Sequence, residues 1–522
     1  MSPEPQRRTE PAAERPLRVV LVAPPLLDML EGRLVPIAMD RHRTNPPYGI
    51  YMLASLLRAR GHQVTLADLI ISGSTDLAPF AQAICEADLV GIGTTSLSWP
   101  AARDCVTSVR SLHKGVPIVL GGIHATMFDY YLLENFPIDY VIRGEAEEAL
   151  PALCEFVAGT RSIDETPSLT ARNGNGKAFR TRLAPALPAA RISDFPLPDY
   201  SQVPAGVYPG LAIESSRGCP FDCCFCSTSY RRSWRALDTT AFVDRLEAIS
   251  LHLDRTSAGH IQIVDDEFSI DRERVVRIVR EIERRHLAPK FIFNARVNDV
   301  LHEDLVLALG PYTKQFLVGA ECGYDEGLRR VGKGTTCERI EAAARSLAAA
   351  GLEDRAHFSF VLGLPWETKD DVIATLRFAC RLHATYGVCL MLQWYCQIPG
   401  SRLWCEAHRK GVISPAFYDD YGFFRDPYLF LTGIRLSPAE VTEVSRALEP
   451  VVTLSRVRHT DEQRIAYSHP WVVARYFSDS ALSRNDAQGL GSLVEVSRAV
   501  PEGVASHGRS PIDAEDASAQ HP

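Results

Sequence analysis

The stretch Cys219-Pro220-Phe221-Asp222-Cys223-Cys224-Phe225-Cys226 decides the reading of this chain. It follows directly on the apolar run Leu211 to Ser215, which is short enough to be a buried strand, so the cysteines fall in the loop at that strand's carboxyl end. In a barrel that is the end where chemistry is done. Three thiolates at this spacing can hold three irons of a cubane cluster, whereas clusters are normally held by four, so one iron is left to bind something other than protein. Cys224 is not expected to be the fourth ligand, because adjacent residues point their side chains in different directions. A structural zinc site would want four ligands from Cys and His, and no His lies between Cys219 and His252.

Downstream of the cysteines, candidate strands recur at His260 to Val264, Phe291 to Ala295, Phe316 to Glu321, His357 to Leu362 and Leu390 to Gln397. Amphipathic stretches such as Thr240 to Leu253 and Asp271 to Arg285 separate them, a series that suits a partial barrel better than an open sheet. Upstream, short apolar runs at Leu17 to Ala23, Gln63 to Asp68, Asp88 to Thr94, Pro117 to Gly122 and Asp139 to Ile142 alternate with helical stretches. In Gly49 to Arg60, for example, Ile50, Leu53, Leu56 and Leu57 share one face. That alternation predicts a parallel, doubly wound α/β sheet. Periodicity fades and prolines accumulate before residue 210. Beyond residue 405 the pattern turns helical, and Ser437-Pro438-Ala439-Glu440 has the form of a capped helix start.

The expected division is therefore a disordered opening (1–15), a Rossmann-like domain (16–158), a linker (159–210), a partial (β/α)6 barrel (211–405), a mainly helical C-terminal region (406–499) and a disordered tail (500–522). With 522 residues, 46% of them hydrophobic, the chain can bury large cores. A formal net charge of -8 argues against a dedicated nucleic-acid binder. No uninterrupted apolar run reaches the roughly 20 residues of a membrane span, and the polar opening is unlike a signal peptide. A cytoplasmic protein without a membrane partner is expected. Thirteen cysteines, an odd number scattered over a long chain, read as reduced thiols.

Cys-x3-Cys-x2-Cys, with Phe225 before the last Cys, resembles the signature of the radical SAM superfamily. Later segments add to the resemblance in the right order. Val264-Asp265-Asp266-Glu267-Phe268 resembles the motif after the second barrel strand, whose acidic residue faces the amino group of S-adenosylmethionine. Gly319-Ala320-Glu321-Cys322-Gly323, running on to Gly332-Lys333-Gly334-Thr335, resembles the fourth-strand motif of the cobalamin-linked subgroup. Ser359 to Glu367 resembles the adenine-contacting fifth-strand segment, and Gln397-Ile398-Pro399-Gly400-Ser401 resembles the turn after the sixth. Singly, Asp265 and Asp266 could cap a helix and the glycines could be turn residues; their joint order over 211–405 carries the resemblance. It implies a [4Fe-4S] cluster on Cys219, Cys223 and Cys226, and S-adenosylmethionine held by Phe225, Asp266, Arg296, Glu321, Ser359, Gly363 and Gln397. It also implies one-electron cleavage to a 5′-deoxyadenosyl radical, with an electron donor such as a flavodoxin or ferredoxin. No side chain is singled out as an acid or base catalyst.

In a parallel α/β sheet the ligand crevice lies beyond the carboxyl ends of the strands. The loops there read Asn45-Pro46-Pro47-Tyr48-Gly49, Thr94-Thr95-Ser96-Leu97-Ser98, Gly121-Gly122-Ile123-His124 and Arg143-Gly144-Glu145-Ala146-Glu147. Together they resemble the cobalamin-binding domain that precedes many radical SAM enzymes. The resemblance implies cobalamin contacts from Tyr48, Thr95, Ser96, Leu97, Gly121, Gly122, His124, Gly144 and Glu145. One departure matters: the Asp-x-His-x-x-Gly motif is missing, and the chain reads Asp28-Met29-Leu30-Glu31-Gly32 after the first strand. The cobalt's lower face is therefore expected to lack a histidine from that loop; His42 and His124 are substitutes in principle. A plain nucleotide site would show Gly-x-Gly-x-x-Gly after the first strand, which is absent. Cys85, Cys105 and Cys154 have no cluster-like spacing, which disfavours a methylthiotransferase.

The implied reaction is methylation of an unactivated carbon or phosphorus centre in a small molecule or peptide. A carbon without an acidic proton or lone pair cannot attack a sulfonium, whereas a radical can react there. A cobalamin-using cyclase or ring-rearranging enzyme stays open, as does a corrinoid- or SAM-binding sensor without turnover, although a sensor has no need of the three cysteines.

Overall fold

Every residue of the strand Ala356–Leu362 is buried, as a near-continuous apolar run requires when helices cover both faces of a parallel sheet. The computed structural model describes residues 15–25, 27–30, 33–36, 45–228, 230–419, 435–437, 440 and 444, and the statements below concern those residues.

The front sheet contains β1 (Arg18–Ala23), β2 (Gln63–Asp68), β3 (Leu89–Gly93), β4 (Ile118–Gly121), β5 (Tyr140–Ile142), β6 (Leu169–Arg172) and β7 (Ala178–Arg180). Their spatial order is β2-β1-β3-β4-β5-β6-β7, with β1 to β5 parallel. The chain order reverses between β1 and β3, which puts a switch-point crevice beside the loops that follow these strands. Helix Trp99–Leu112 packs Val106 and Val109 against this sheet's core. Cys85, Cys105 and Cys154 sit on helices.

Residues 159–210 depart from the expected linker. β6 and β7 form a hairpin that pairs antiparallel with β5 and extends the sheet. The helix Ala189–Asp194 follows, and Tyr200 and Tyr208 are fully buried. Strands of four and three residues are too short to show alternation in a sequence window.

The second sheet contains β8 (Gly210–Ile213), β9 (His260–Ile263), β10 (Phe291–Arg296), β11 (Thr313–Glu321), β12 (Ala356–Leu362) and β13 (Cys389–Trp394). All neighbours are parallel and lie in chain order, and among the described residues β8 and β13 do not pair, so the barrel is open as expected. Several of its helices start at side-chain caps. Asp271 accepts from the Arg274 N–H at 2.9 Å, and Thr368 forms a reciprocal box with Asp371 before the helix Lys369–Tyr386.

The boundary drawn at 405 falls inside the helix Arg402–Arg409. From there the chain crosses back to the front domain: Trp404, Ile413 and Tyr418 pack in the same core as Trp99 and Phe128. The Trp99 indole donates to the Asp419 carboxylate at 2.7 Å, and the Tyr131 hydroxyl also donates to it. Farther on, Ser437 and Glu440 make the expected reciprocal bonds, at 2.7 Å and 3.4 Å. The remaining C-terminal region, the tail, His42 and residues 1–14 lie outside the described residues; Arg15 meets Asp88 at 2.5 Å.

Candidate functional site

The cysteine loop is built by its own backbone. Gly218 adopts φ +79°, and a Cβ there would stand 2.3 Å from the Ser233 carbonyl, so only glycine can precede Cys219 in this turn. The Cys219 N–H donates to the Tyr230 carbonyl at 3.2 Å and the Cys226 N–H to the Cys223 carbonyl at 3.1 Å. Cys224 is turned into the barrel core, its N–H bonded to the Val331 carbonyl and its own carbonyl to the Leu403 N–H.

Two buried cations stand by the loop. Arg296 brings Nη1 to 3.9 Å from the Cys223 sulfur, lies over the Phe221 ring at 3.6 Å and donates to the Lys333 carbonyl. Lys333 pairs with Glu321 at 2.7 Å. Burial alone would lower the Lys333 pKa, but Glu321 and Cys223 outweigh it and hold the ammonium above its ordinary range. Burial pushes the Cys219 thiol up to about 11. Among the described residues no three His, Cys, Asp or Glu converge closely enough to hold one metal ion. Three thiols on one loop, with Arg296 and Lys333 beside Cys223, fit a cluster, whose thiolates carry negative charge.

Glu321 sits at φ +66°, where a register shift interrupts the pairing of β11 with β12. Such a conformation costs about 1–2 kcal/mol for a residue with a Cβ, and here it aims the carboxylate at Lys333. Asp265 and Asp266 have separate uses. Asp265 is buried and accepts from the Ser215 N–H at 2.7 Å and from the Ser215 and Ser216 hydroxyls, which ties β8 to β9. Asp266 faces the open space and accepts from Thr228 at 2.6 Å. Neither caps the next helix, whose cap is Asp271.

Glu267 is buried behind this row. The Ser269 hydroxyl lies 2.8 Å from Glu267 and 2.7 Å from Asp299, and its single proton can serve only one of them. Burial, reinforced by Asp299, pushes Glu267 up to about 8. Below the ordinary value of 4.5 the carboxyl is protonated both folded and unfolded, and it costs nothing. Between 4.5 and about 8 only the unfolded chain releases the proton, so stability falls across that window and levels off above it. Glu267→Gln is therefore expected to melt higher than the parent at pH 8.5 and nearly with it at pH 4.5, as scanning calorimetry would read. A constant difference at both values would contradict the burial argument.

A cavity of about 540 Å³ lies between the carboxyl ends of the two sheets. On one side it is lined by Tyr48, Gly49, Gly91, Gly93, Gly121, Gly122, Gly144 and Glu145, with Leu21, Leu53, Val119 and Leu150 as apolar wall. On the other side are Glu214, Arg217, Ser227, Thr228, Tyr230 and Asp266. A Cβ on Gly121 would meet nothing within 4 Å, so this backbone borders open space; one on Gly122, at φ +94°, would strike the Thr94 carbonyl at 2.4 Å. A crevice floored by glycine backbone and walled by apolar side chains lets the face of a flat macrocycle approach closely.

Four of the residues expected at the cobalamin site do not line this cavity. Thr95 is bonded to Ser98, at 2.9 Å and 3.0 Å, before the helix Trp99–Leu112. Ser96 bonds His124 Nδ1 at 3.0 Å, and Leu97 is exposed. His124 is fully buried, stacked on Trp99 at 5.1 Å with Phe128 and Tyr418 at its edges. The turn at Gly122 starts a short helix that carries this imidazole into the front-domain core. Burial lowers its pKa to about 3, so it is neutral.

Of the residues expected at the S-adenosylmethionine site, Asp266 borders the cavity while Arg296 and Glu321 gather around Lys333. Phe225 packs on the barrel core and Ser359 is buried within β12. Gly363, at φ +74°, is clipped by Glu367, which accepts from the Gly363 and Leu364 N–H groups at 2.7 Å and 2.9 Å. Gln397 accepts from Tyr395 at 3.0 Å at its side chain and from Tyr418 at its carbonyl.

The sequence reading missed the ionic contact between the domains. Arg217 donates to Glu145 at 3.0 Å, Glu147 at 2.6 Å and Glu214 at 2.8 Å, while Arg235 reaches Glu145 at 3.0 Å. Tyr48 bonds Glu214 at 3.1 Å. Such a buried set must be complete, because leaving one charge unpaired costs about 3–5 kcal/mol. Its position two residues before Cys219 is the signal that could have drawn notice to Arg217.

Comparison with known proteins bears on both domains. The B12 binding domain model matches residues 36–154 and the Radical SAM superfamily model residues 213–379. The chain is 29% identical over 410 residues to an uncharacterized methyltransferase of Pyrococcus horikoshii, covering 76% of this chain and 84% of the relative. It is 27% identical over 355 residues to an anaerobic magnesium-protoporphyrin IX monomethyl ester cyclase of Rubrivivax gelatinosus, covering 64% of this chain and 62% of the relative. Its fold is similar to that of the radical S-adenosylmethionine methyltransferase TsrM from Kitasatospora setae. There the TM-score is 0.62 at 18% identity, covering 89% of this chain and all (100%) of the other.

Proposed function

The chain belongs with the cobalamin-dependent radical SAM enzymes, its B12-binding domain standing before its radical SAM barrel, and from that premise we propose that it methylates an unactivated carbon or phosphorus centre of a small molecule or peptide. The observation that carries this reading is the single cavity that joins the glycine floor of the front domain to Ser227, Thr228 and Asp266 beside the cysteine loop. When bound, the cluster with S-adenosylmethionine supplies one-electron chemistry, and cobalamin supplies methyl transfer. Cys219, Cys223 and Cys226 would hold the cluster, and Asp266 is placed to meet an ammonium group. Lys333 and Arg296 offset negative charge at the loop, Glu367 sets the Gly363 turn, and the Arg217 contacts fix the two domains against each other. The apolar wall keeps water from the reacting centres. Among the described residues no imidazole lines the cavity, and His42 lies outside them. No helix among the described residues is long and apolar enough to cross a membrane, and a cytoplasmic location fits this reading.

Anaerobic incubation with candidate substrates and S-adenosylmethionine labelled at its methyl group tests the proposal. Label is expected in the product. An altered, unlabelled product with a new ring would instead favour the cyclase reading, for which the Rubrivivax relative speaks. Binding of both cofactors without turnover of any substrate would favour a sensor.

A further inference from the structure

Tyr230 follows Cys226 closely in the chain, yet its side chain lines the cavity that opens onto the front domain. A Cβ on Gly144, at φ +73°, would sit 3.4 Å from the Tyr230 hydroxyl, so the phenol reaches from the barrel to the rim of the glycine floor. Its ring is braced. The Arg235 guanidinium lies over it at 4.4 Å and is itself anchored on Glu145 at 3.0 Å and on the Leu187 carbonyl. Other tyrosines between the domains have partners: Tyr48 bonds Glu214 at 3.1 Å, while Tyr51 and Tyr208 donate to Asp68 at 2.9 Å and 2.6 Å. The Tyr230 hydroxyl has none among the described residues. Burial, reinforced by Glu145, raises the phenol pKa, so the group keeps its proton and can donate it to a ligand.

The same residue is built into the cysteine loop. Its carbonyl accepts the Cys219 N–H at 3.2 Å and the Ser233 N–H at 3.3 Å, and a Cβ on Gly218 would stand 2.8 Å from that carbonyl. One end of Tyr230 thus holds the backbone of a thiol, and the other presents a donor to the crevice. Packing alone would be served by Phe, so the hydroxyl needs a separate reason. Beside Gly144 it stands at the rim of the crevice, where it meets the edge of a flat ligand and not its face. The edge of a corrin ring carries amide groups whose carbonyls accept hydrogen bonds.

We propose, on the reading of this crevice as the cobalamin site, that Tyr230 couples the two cofactor sites: its hydroxyl donates to an amide carbonyl on the corrin edge while its backbone holds Cys219 in the cluster loop. Each site, when filled, then stabilises the other.

The test uses the full chain with its cluster reconstituted, hydroxocobalamin as the probe, and Tyr230→Phe, which keeps the ring under Arg235 and removes only the hydroxyl. Iron content and the melting temperature of the cobalamin-free protein should match the parent. Titration followed in the visible spectrum should show cobalamin bound about three- to tenfold more weakly. Dicyanocobinamide, which keeps the corrin amides and lacks the nucleotide tail, should show the same ratio. Removing the cluster should weaken cobalamin binding in the parent and weaken it less in Tyr230→Phe, as a coupled pair requires. Equal cobalamin affinity in parent and variant would overturn the proposal, and so would an affinity indifferent to the cluster. A loss seen with cobalamin and not with cobinamide would move the contact to the tail, a loss of S-adenosylmethionine binding alone would reassign the hydroxyl, and a loss of iron would mark Tyr230 as structural. No cobalamin uptake by the parent would remove the crevice reading itself, a result distinct from equal affinity.

Discussion

Replacing Cys219, Cys223 or Cys226 with Ala is expected to take bound iron from about four per chain to near none, with loss of the broad absorption near 400 nm, whereas Cys224→Ala keeps both. The three thiols are the only protein ligands that the loop offers, so removing one leaves two for an entire cubane, too few to hold it against loss in water. Cys224 differs because it stands next to Cys223 in the chain, where its side chain points another way, and its backbone is bonded on both sides. Its replacement removes one buried sulfur and leaves the loop's path intact. Iron and sulfide analysis after anaerobic reconstitution reads the result. A full cluster in any of the three single variants would remove the basis for the active site described above.

Gly121→Leu should abolish cobalamin uptake, from about one per chain to none, without lowering the melting temperature of the cofactor-free protein. A Cβ at that position meets nothing within 4 Å, so the new side chain enters the cavity and not its neighbours. The same change at Gly122 would be a poorer test, because it collides with the Thr94 carbonyl and forces φ +94° on a branched residue. In the parent, electron paramagnetic resonance of the cob(II)alamin form should lack nitrogen superhyperfine splitting. Undiminished uptake by Gly121→Leu would remove cobalamin from this crevice. Nitrogen splitting that vanishes in His42→Ala or His124→Ala would leave the crevice and overturn only the absence of a histidine ligand.

The parallel strands of both sheets are legible in the sequence because buried parallel strands are short apolar runs, and the cysteine loop is legible because its ligands are neighbours in the chain. What sequence could not show is where each side chain turns. Thr95, Ser96 and His124 stand in a loop at the correct end of the correct sheet, yet they are spent on a helix start and an aromatic core. The Arg217 contacts join residues up to 72 apart in the chain, so no local pattern marks them. The hairpin β6–β7 did have a local mark, the turn sequence Asn173-Gly174-Asn175-Gly176.

Trp404 and Tyr418 lie among the aromatic rings of the front domain, although they belong to the last part of the described chain. During synthesis the front domain emerges first, but its core has an open side until Tyr418 has left the ribosome. The face formed by Trp99 and Phe128 must wait while the whole barrel is made. The front-domain core is thus completed by a segment that lies beyond the barrel in the chain.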